Sequence, residues 1–298
     1  ESEVTFENCV LQSEFPANEH FLLFSEEKSK VNFKQVTTKL PDKHQLGMKF
    51  VQSAVSIQDS TIQNRLWIRE NSELTFVRSK MECSRPTSLW IEDSKLSILS
   101  SQVSGTFEGG TQAVLNASKS EIMIEDSLIQ GVGKDYYTIY LQESCTGVFN
   151  NLNVDFMKLK SSHIRMVNGS VKYNLAIDGE STLYSQGRLR FLNKESQHIP
   201  ISLSTNALFV GDSVEVEKET SSIIRVKEGS CFVVNDFIHL NGDATKLNYE
   251  TDETSQCRIT QKHKVAPERS EKGEIIRTED AQKAHHSNTD YYAQLQGL

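Results

Sequence analysis

Short stretches of alternating apolar and polar residues recur along most of the chain at nearly constant spacing. Leu66-Trp67-Ile68, Leu89-Trp90-Ile91, Ala113-Val114-Leu115, Ile139-Tyr140-Leu141, Ile164-Arg165-Met166 and Leu189-Arg190-Phe191 all read apolar–x–apolar. Their first residues lie 23, 24, 26, 25 and 25 positions apart. Several residues after each triplet comes a second alternating pair: Leu74/Phe76, Leu96/Ile98, Ile122/Ile124 and Val171/Tyr173. A third apolar position follows at Met81, Val103 and Ile129. Small polar pairs such as Asn71-Ser72, Asp93-Ser94, Asp126-Ser127 and Gly169-Ser170 separate them.

Alternation with period two is the signature of a strand with one buried face. Three short strands per repeat, with no stretch of helical period between them, exclude folds in which a helix crosses between parallel strands. A repeat of this length marks a solenoid. One coil cannot bury its apolar face alone, and stacking coils builds a continuous core. The pattern predicts an all-β, parallel β-helix with coils of about 18–26 residues over residues 1–248. Phe50, Val55/Ile57 and Ile62 fit a shorter upstream coil, and less regular coils fit Phe21–Val36 and Ile199–Leu240. From residue 249 to 298 the pattern gives way to a charged, polar tail, with Ile275-Ile276 and Tyr291-Tyr292 as candidates for docking back onto the end coil.

These coils resemble the right-handed parallel β-helices of the pectin-lyase-like superfamily, over roughly residues 1–245. The likeness rests on the coil pattern and on no catalytic signature, so it implies architecture. Members that cleave polysaccharides carry acids on the outward positions of the corresponding strands, which makes those positions the ones to inspect.

If the flanking residues of each triplet point inward, the middle ones form an outward column: Trp67, Trp90, Val114, Tyr140, Arg165, Arg190. Adjacent coils lie about 4.8 Å apart, so the chain's 2 tryptophans fall on neighbouring rungs. Trp67, Trp90, Tyr140, Arg165 and Arg190 are therefore the candidate binding residues, rimmed by loops 83–88, 105–112, 131–138, 155–163 and 179–188. Aromatics and arginine dominate the hot spots of protein interfaces, and flat aromatic faces also suit sugar rings. Burial of the column under the tail or a loop is the competing structural reading.

The same column carries no acid, and glycoside hydrolysis needs two carboxylates across the scissile bond. The nearest cluster, Glu70, Asp93 and Glu143, sits at turns and is interrupted at Ala117. No catalytic residues, cofactor or metal site are expected. Asn288-Thr289-Asp290 lacks the partner motifs of polygalacturonase-like enzymes. Gly131-Val132-Gly133-Lys134-Asp135 lacks the end of a phosphate loop. The histidines show no metal-ligand spacing on a strand, and His285-His286 lies in the tail.

Composition narrows the setting. A net charge of −8, with acids and bases interspersed, offers no basic face for nucleic acid. No apolar run reaches the roughly 18 residues of a membrane span. The 5 cysteines, Cys9, Cys83, Cys145, Cys231 and Cys257, are odd in number and scattered, which suits free thiols in a reducing, cytoplasmic compartment. An extracellular location is the alternative, where the sequons at Asn116 and Asn168 would matter. A start at Glu1-Ser2-Glu3 reads as a trimmed chain, one module of a larger assembly. The expectation is a non-catalytic scaffold for a protein partner, with glycan binding or polysaccharide processing as the alternative. End-to-end self-association through exposed coil edges is a further expectation.

Overall fold

The computed structural model describes residues 2–12, 22–39, 47–83, 87–106, 113–132, 137–192, 199–217, 223–240 and 249–263. Among these residues there is no helix; parallel strands stack into a β-solenoid, about nine turns in all. The chain divides into two units, Glu1–Ile164 and Arg165–Leu298.

In the first unit the alternating segments form three parallel stacks. Its first coil consists of β1 (Glu3–Glu7), β2 (Val10–Gln12) and β3 (Leu23–Ser25), and β1 pairs with β4 (Lys30–Lys34). The stack containing β3 continues through Gly47–Val51, Arg65–Arg69, Leu89–Glu92, Leu115–Ser118 and Ile139–Gln142. Register is kept across each pairing, so every inward residue sits on another. Leu66, Leu89, Leu115 and Ile139 make one core column, and Phe76, Ile98, Ile124 and Phe149 another, all essentially buried.

Most corners of this unit share one device. One or two residues with left-handed φ turn the chain, and at many corners a buried serine follows. Such residues include Gln52 (49°), Asp93 (49°) and Lys119 (50°) at one corner, and Asp59 (50°), Arg78 (45°) and Asp126 (47°) at the next. The serines stack. The Ser53 N–H donates to the Ser72 hydroxyl (3.1 Å), Ser72 to Ser94 (3.2 Å) and Ser94 to Ser120 (3.2 Å). At the other corner Ser60, Ser79, Ser101 and Ser127 are joined in the same way at 3.0–3.1 Å. Each hydroxyl in turn donates to a nearby carbonyl, as Ser101 does to Leu99 (2.7 Å) and Ser94 to Glu92 (2.8 Å). Buried corners leave backbone groups without ladder partners, and the hydroxyl serves as both acceptor and donor for them.

The second unit is built differently. Its stacks alternate long strands, Thr182–Phe191, Leu208–Val216, Cys231–His239 and Gln256–His263, with short ones, Ile201–Leu203, Ile224–Val226 and Tyr249–Thr251. Tyr249–Thr251 and Gln256–His263 lie beyond residue 248, where the sequence pattern places the tail; residues 264–298, with Ile275-Ile276, Tyr291-Tyr292 and His285-His286, are outside the described residues. A bulge shifts the register between Ser185 and Arg188. Gly187 sits there at φ 74°, and a β-carbon on it would come within 2.4 Å of Asn168 Oδ1, so the position requires glycine. Phe209 and Phe232 stack inside at 4.9 Å.

Candidate functional site

The outward positions of the β3 stack form the aromatic column. In register they are Phe24, Lys49, Trp67, Trp90, Asn116, Tyr140 and Lys158. Two members differ from the sequence expectation. Asn116, not Val114, lies between Trp90 and Tyr140, and Val114 is fully buried at the preceding corner. Ala113-Val114-Leu115 and Leu115-Asn116-Ala117 both read apolar–x–apolar, and the second carries the inward pair. Lys158, not Arg165, is the neighbour of Tyr140 on the far side, because the next coil is shortened within the long strand Thr146–Lys160.

Trp67 and Trp90 share a register but not an environment. A β-carbon on Gly47 would lie 1.7 Å from Trp67 Cζ3, so the indole rests where the side chain of the preceding coil would stand. Trp67 is half-buried there, with the Arg65 guanidinium 6.0 Å from its ring. Trp90 is 37% exposed. At either end of the column, cations lie against aromatic rings. Lys49 Nζ is 5.3 Å from the centre of Phe24, and Lys158 Nζ is 5.6 Å from Tyr140 and 5.2 Å from Tyr137. Such contacts contribute about 0.5–1 kcal/mol at exposed sites. The neighbouring outward column includes Arg69 and Glu92, paired at 2.7 Å, so part of its charge is neutralised. Residues 107–112 and 133–136 of the rim loops lie outside the described residues, as do residues 84–86 of loop 83–88.

Arg165 and Arg190 belong to the second unit. Arg165 is exposed and donates to Gln186 Oε1 (2.7 Å). Arg190 is committed to an acid that sequence reasoning did not single out. Glu215 is 2% exposed, with Arg188 Nε at 3.2 Å and Arg190 Nε at 2.9 Å. Around it the outward residues of two long strands are also buried: Val210 (5%), Ser213 (2%), Val233 (1%), Asp236 (0%) and Ile238 (0%).

The acids nearest to a catalytic set do not assemble into one. Glu70, Asp93 and Glu143 occupy left-handed corner positions (φ 57°, 49° and 54°). The corner residue between the last two is Lys119 rather than Ala117, and its Nζ lies 3.8 Å from Glu143. A second polar surface, not anticipated from sequence, is an open groove of about 590 Å³ along the Asp59–Asp126 corner. Arg78 holds Asp59 in a two-pronged pair (2.8 and 2.9 Å), and this keeps the Asp59 carboxyl below its ordinary pKa. Of the groove's other charged residues, Lys80 pairs with Glu82 and Asp126 accepts from the Asn151 amide (2.7 Å). Among the described residues no three His, Cys, Asp or Glu side chains group to hold a metal, and no helix is long and apolar enough to cross a membrane.

The arrangement offers surface recognition: exposed aromatic area, cations at its ends and paired charges beside it. No protein-family model matches the chain, and no curated protein matches it.

Proposed function

We propose that the protein is a non-catalytic β-solenoid scaffold whose first unit presents the Trp67–Trp90–Tyr140 column to a protein partner. The carrying observation is Trp90. It is a large apolar ring, exposed in the middle of a register-locked strand stack, between the half-buried Trp67 and Asn116. An exposed aromatic on a rigid sheet loses little entropy on contact and is a typical anchor. The free cysteines support a reducing, cytoplasmic setting. Arg165 and Arg190 extend the proposed binding residues only as elements of the second unit.

The second reading is a glycan-binding or glycan-processing protein of the pectin-lyase-like kind. The two tryptophans on neighbouring rungs favour it, because flat aromatic faces suit sugar rings. One experiment addresses both readings. A photo-reactive phenylalanine analogue placed at Asn116 should yield protein adducts in the native cell, and Trp90→Ala should remove them while the melting curve stays unchanged. Quenching of tryptophan emission by neutral oligosaccharides, with no protein adducts, would establish the second reading in place of the first.

A further inference from the structure

The aromatic face is opposite in sign to the chain as a whole. The chain carries −8, yet the outward positions of this stack from Gly47–Val51 onward include Lys49, Arg65, Arg69, Lys158 and Lys160. The acid among them, Glu92, is engaged by Arg69 at 2.7 Å. Glu70, Asp93 and Glu143 stand beyond the face, at left-handed corner positions. A patch whose sign opposes the rest of the molecule attracts partners of the other sign.

The cations are not evenly spread. Within the aromatic column Lys49 and Lys158 flank Trp67, Trp90, Asn116 and Tyr140. At about 4.8 Å per coil, the register places the two lysines about 24 Å apart. Lys158 sits against Tyr137 and Tyr140, whose ring centroids are 6.0 Å apart. Among the described residues it meets these rings and no carboxylate. Between the two lysines the column itself is uncharged, with Trp90 exposed and Asn116 and Tyr140 half-buried.

This distribution discriminates between anions. A nucleic acid strand carries a charge at every link, and its central phosphates would lie over Trp90, Asn116 and Tyr140, where the column offers no cation. A polypeptide can place carboxylates at both ends and apolar side chains between them. An extended segment of about seven residues covers the distance from one lysine to the other.

Building on the reading of this column as a protein-binding face, we infer that its occupant is an acidic peptide segment. The segment lies extended across the coils, with an apolar centre on Trp90 and carboxylates facing Lys49 and Lys158. The apolar centre supplies affinity, and the end charges supply selection.

A synthetic peptide of Leu-Phe-Leu with two glutamates at each end is the probe. It has no tryptophan, so the protein's 2 tryptophans, both in the column, report on it. Titrated into the full chain, it should change their emission. The counterpart with four lysines should bind at least about tenfold more weakly, since its ends are repelled. Lys49→Glu/Lys158→Glu should reverse that order with an unchanged circular dichroism spectrum, because both side chains point out of the core. The milder Lys49→Gln/Lys158→Gln should erase the discrimination.

Equal binding of the two peptides overturns the inference while leaving the column a binding face, so the scaffold reading survives it. A folded double glutamate variant that keeps the original preference overturns it as well. A response to oligo-deoxythymidine without a response to the glutamate peptide would make a polyanion the occupant and overturn it. No response to either peptide at millimolar concentration also overturns it, and the scaffold reading is then decided separately by the photo-adducts at Asn116.

Discussion

The two units differ in the charged groups they bury. In the first, most buried polar side chains at corners are neutral hydroxyls, joined to their neighbours one coil away and to nearby carbonyls, and the one buried carboxylate among the described residues, Asp155, accepts from the Gly131 N–H. The second also buries serines, among them Ser230, which accepts from the Ala207 N–H, but it adds buried charge: Glu215 lies between two arginines, and Asp236 has no exposed surface. A hydroxyl costs little to desolvate once it is both donating and accepting. A carboxylate is kept in the interior only by its counter-ions. Short strands need many corners and therefore a cheap, repeatable corner device. Long strands need few, and the second unit turns at paired left-handed residues, Thr205-Asn206 and Glu228-Gly229, a device the first unit uses at Glu27-Lys28, Glu70-Asn71 and Glu143-Ser144.

The largest effect that separates the two schemes is expected at Glu215. Glu215→Ala removes the shared partner of Arg188 and Arg190, whose side chains are 28% and 44% exposed, and should destabilise the protein by about 3 kcal/mol, the low end of the range for breaking a buried ion pair because solvent screens the arginines left behind. Adding Arg188→Met and Arg190→Met should restore part of the loss, because it is then no longer a lone charge that is buried. Chemical denaturation of the three proteins checks this. A Glu215→Ala protein within about 1 kcal/mol of the parent would show that the arginines find solvent without cost, and the contrast between the units would collapse.

A smaller effect is expected in the hydroxyl ladders. Ser94→Ala leaves the Ser72 N–H without its acceptor and should cost about 1–3 kcal/mol, the penalty for an unsatisfied buried donor. Ser94→Cys should cost less. Cys145 already occupies the same corner column one coil beyond Ser120, buried, with its thiol 3.2 Å from the Gln142 carbonyl. If alanine and cysteine prove equally harmless in thermal melts, the ladder is only a by-product of tight corners. Equal and large losses would mean that hydroxyl geometry itself is required.

Much of the first unit is legible in the sequence because each inward residue is apolar and each strand is short. Leu66, Leu89, Leu96 and Ile122 fall where the alternation places them. The register slip at Val114 arises where two overlapping triplets satisfy the same rule, and alternation alone cannot choose between them. The serine ladders were legible too, through a different signal. Ser53/Ser60, Ser72/Ser79, Ser94/Ser101 and Ser120/Ser127 are each 7 residues apart, one pair per coil. That spacing is polar, and a search tuned to apolar periodicity passes over it. The second unit is harder for a physical reason: the bulge between Ser185 and Arg188 changes which residues face inward within one strand. Arg190 then reads as a surface residue, although Glu215 one coil away holds it. For the aromatic column, sequence gives the rungs, whereas the difference between a cradled Trp67 and an exposed Trp90 depends on Gly47, which carries no side chain to read.

The smallest expected effect concerns the last described coil, and it has a definite sign. Burial pushes the Cys257 thiol up to about 11 from an ordinary 9.0, with the nearby Cys231 adding to the rise and Lys262 opposing it. The folded state therefore holds this proton more tightly than the unfolded chain does. Its contribution to stability is complete below pH 9, declines between pH 9 and 11 as the unfolded thiol ionises first, and is gone above 11. Only the thiolate is nucleophilic, so a two-unit rise lowers its population near neutrality about a hundredfold. Iodoacetamide at pH 8 should modify Cys257 far more slowly than it modifies the same residue in the urea-unfolded chain, and Cys257→Ser should flatten part of the alkaline loss of stability. Native and unfolded rates that agree within a factor of about three would mean that the coil opens readily, and would limit the well-packed part of the second unit to the strands before Gln256.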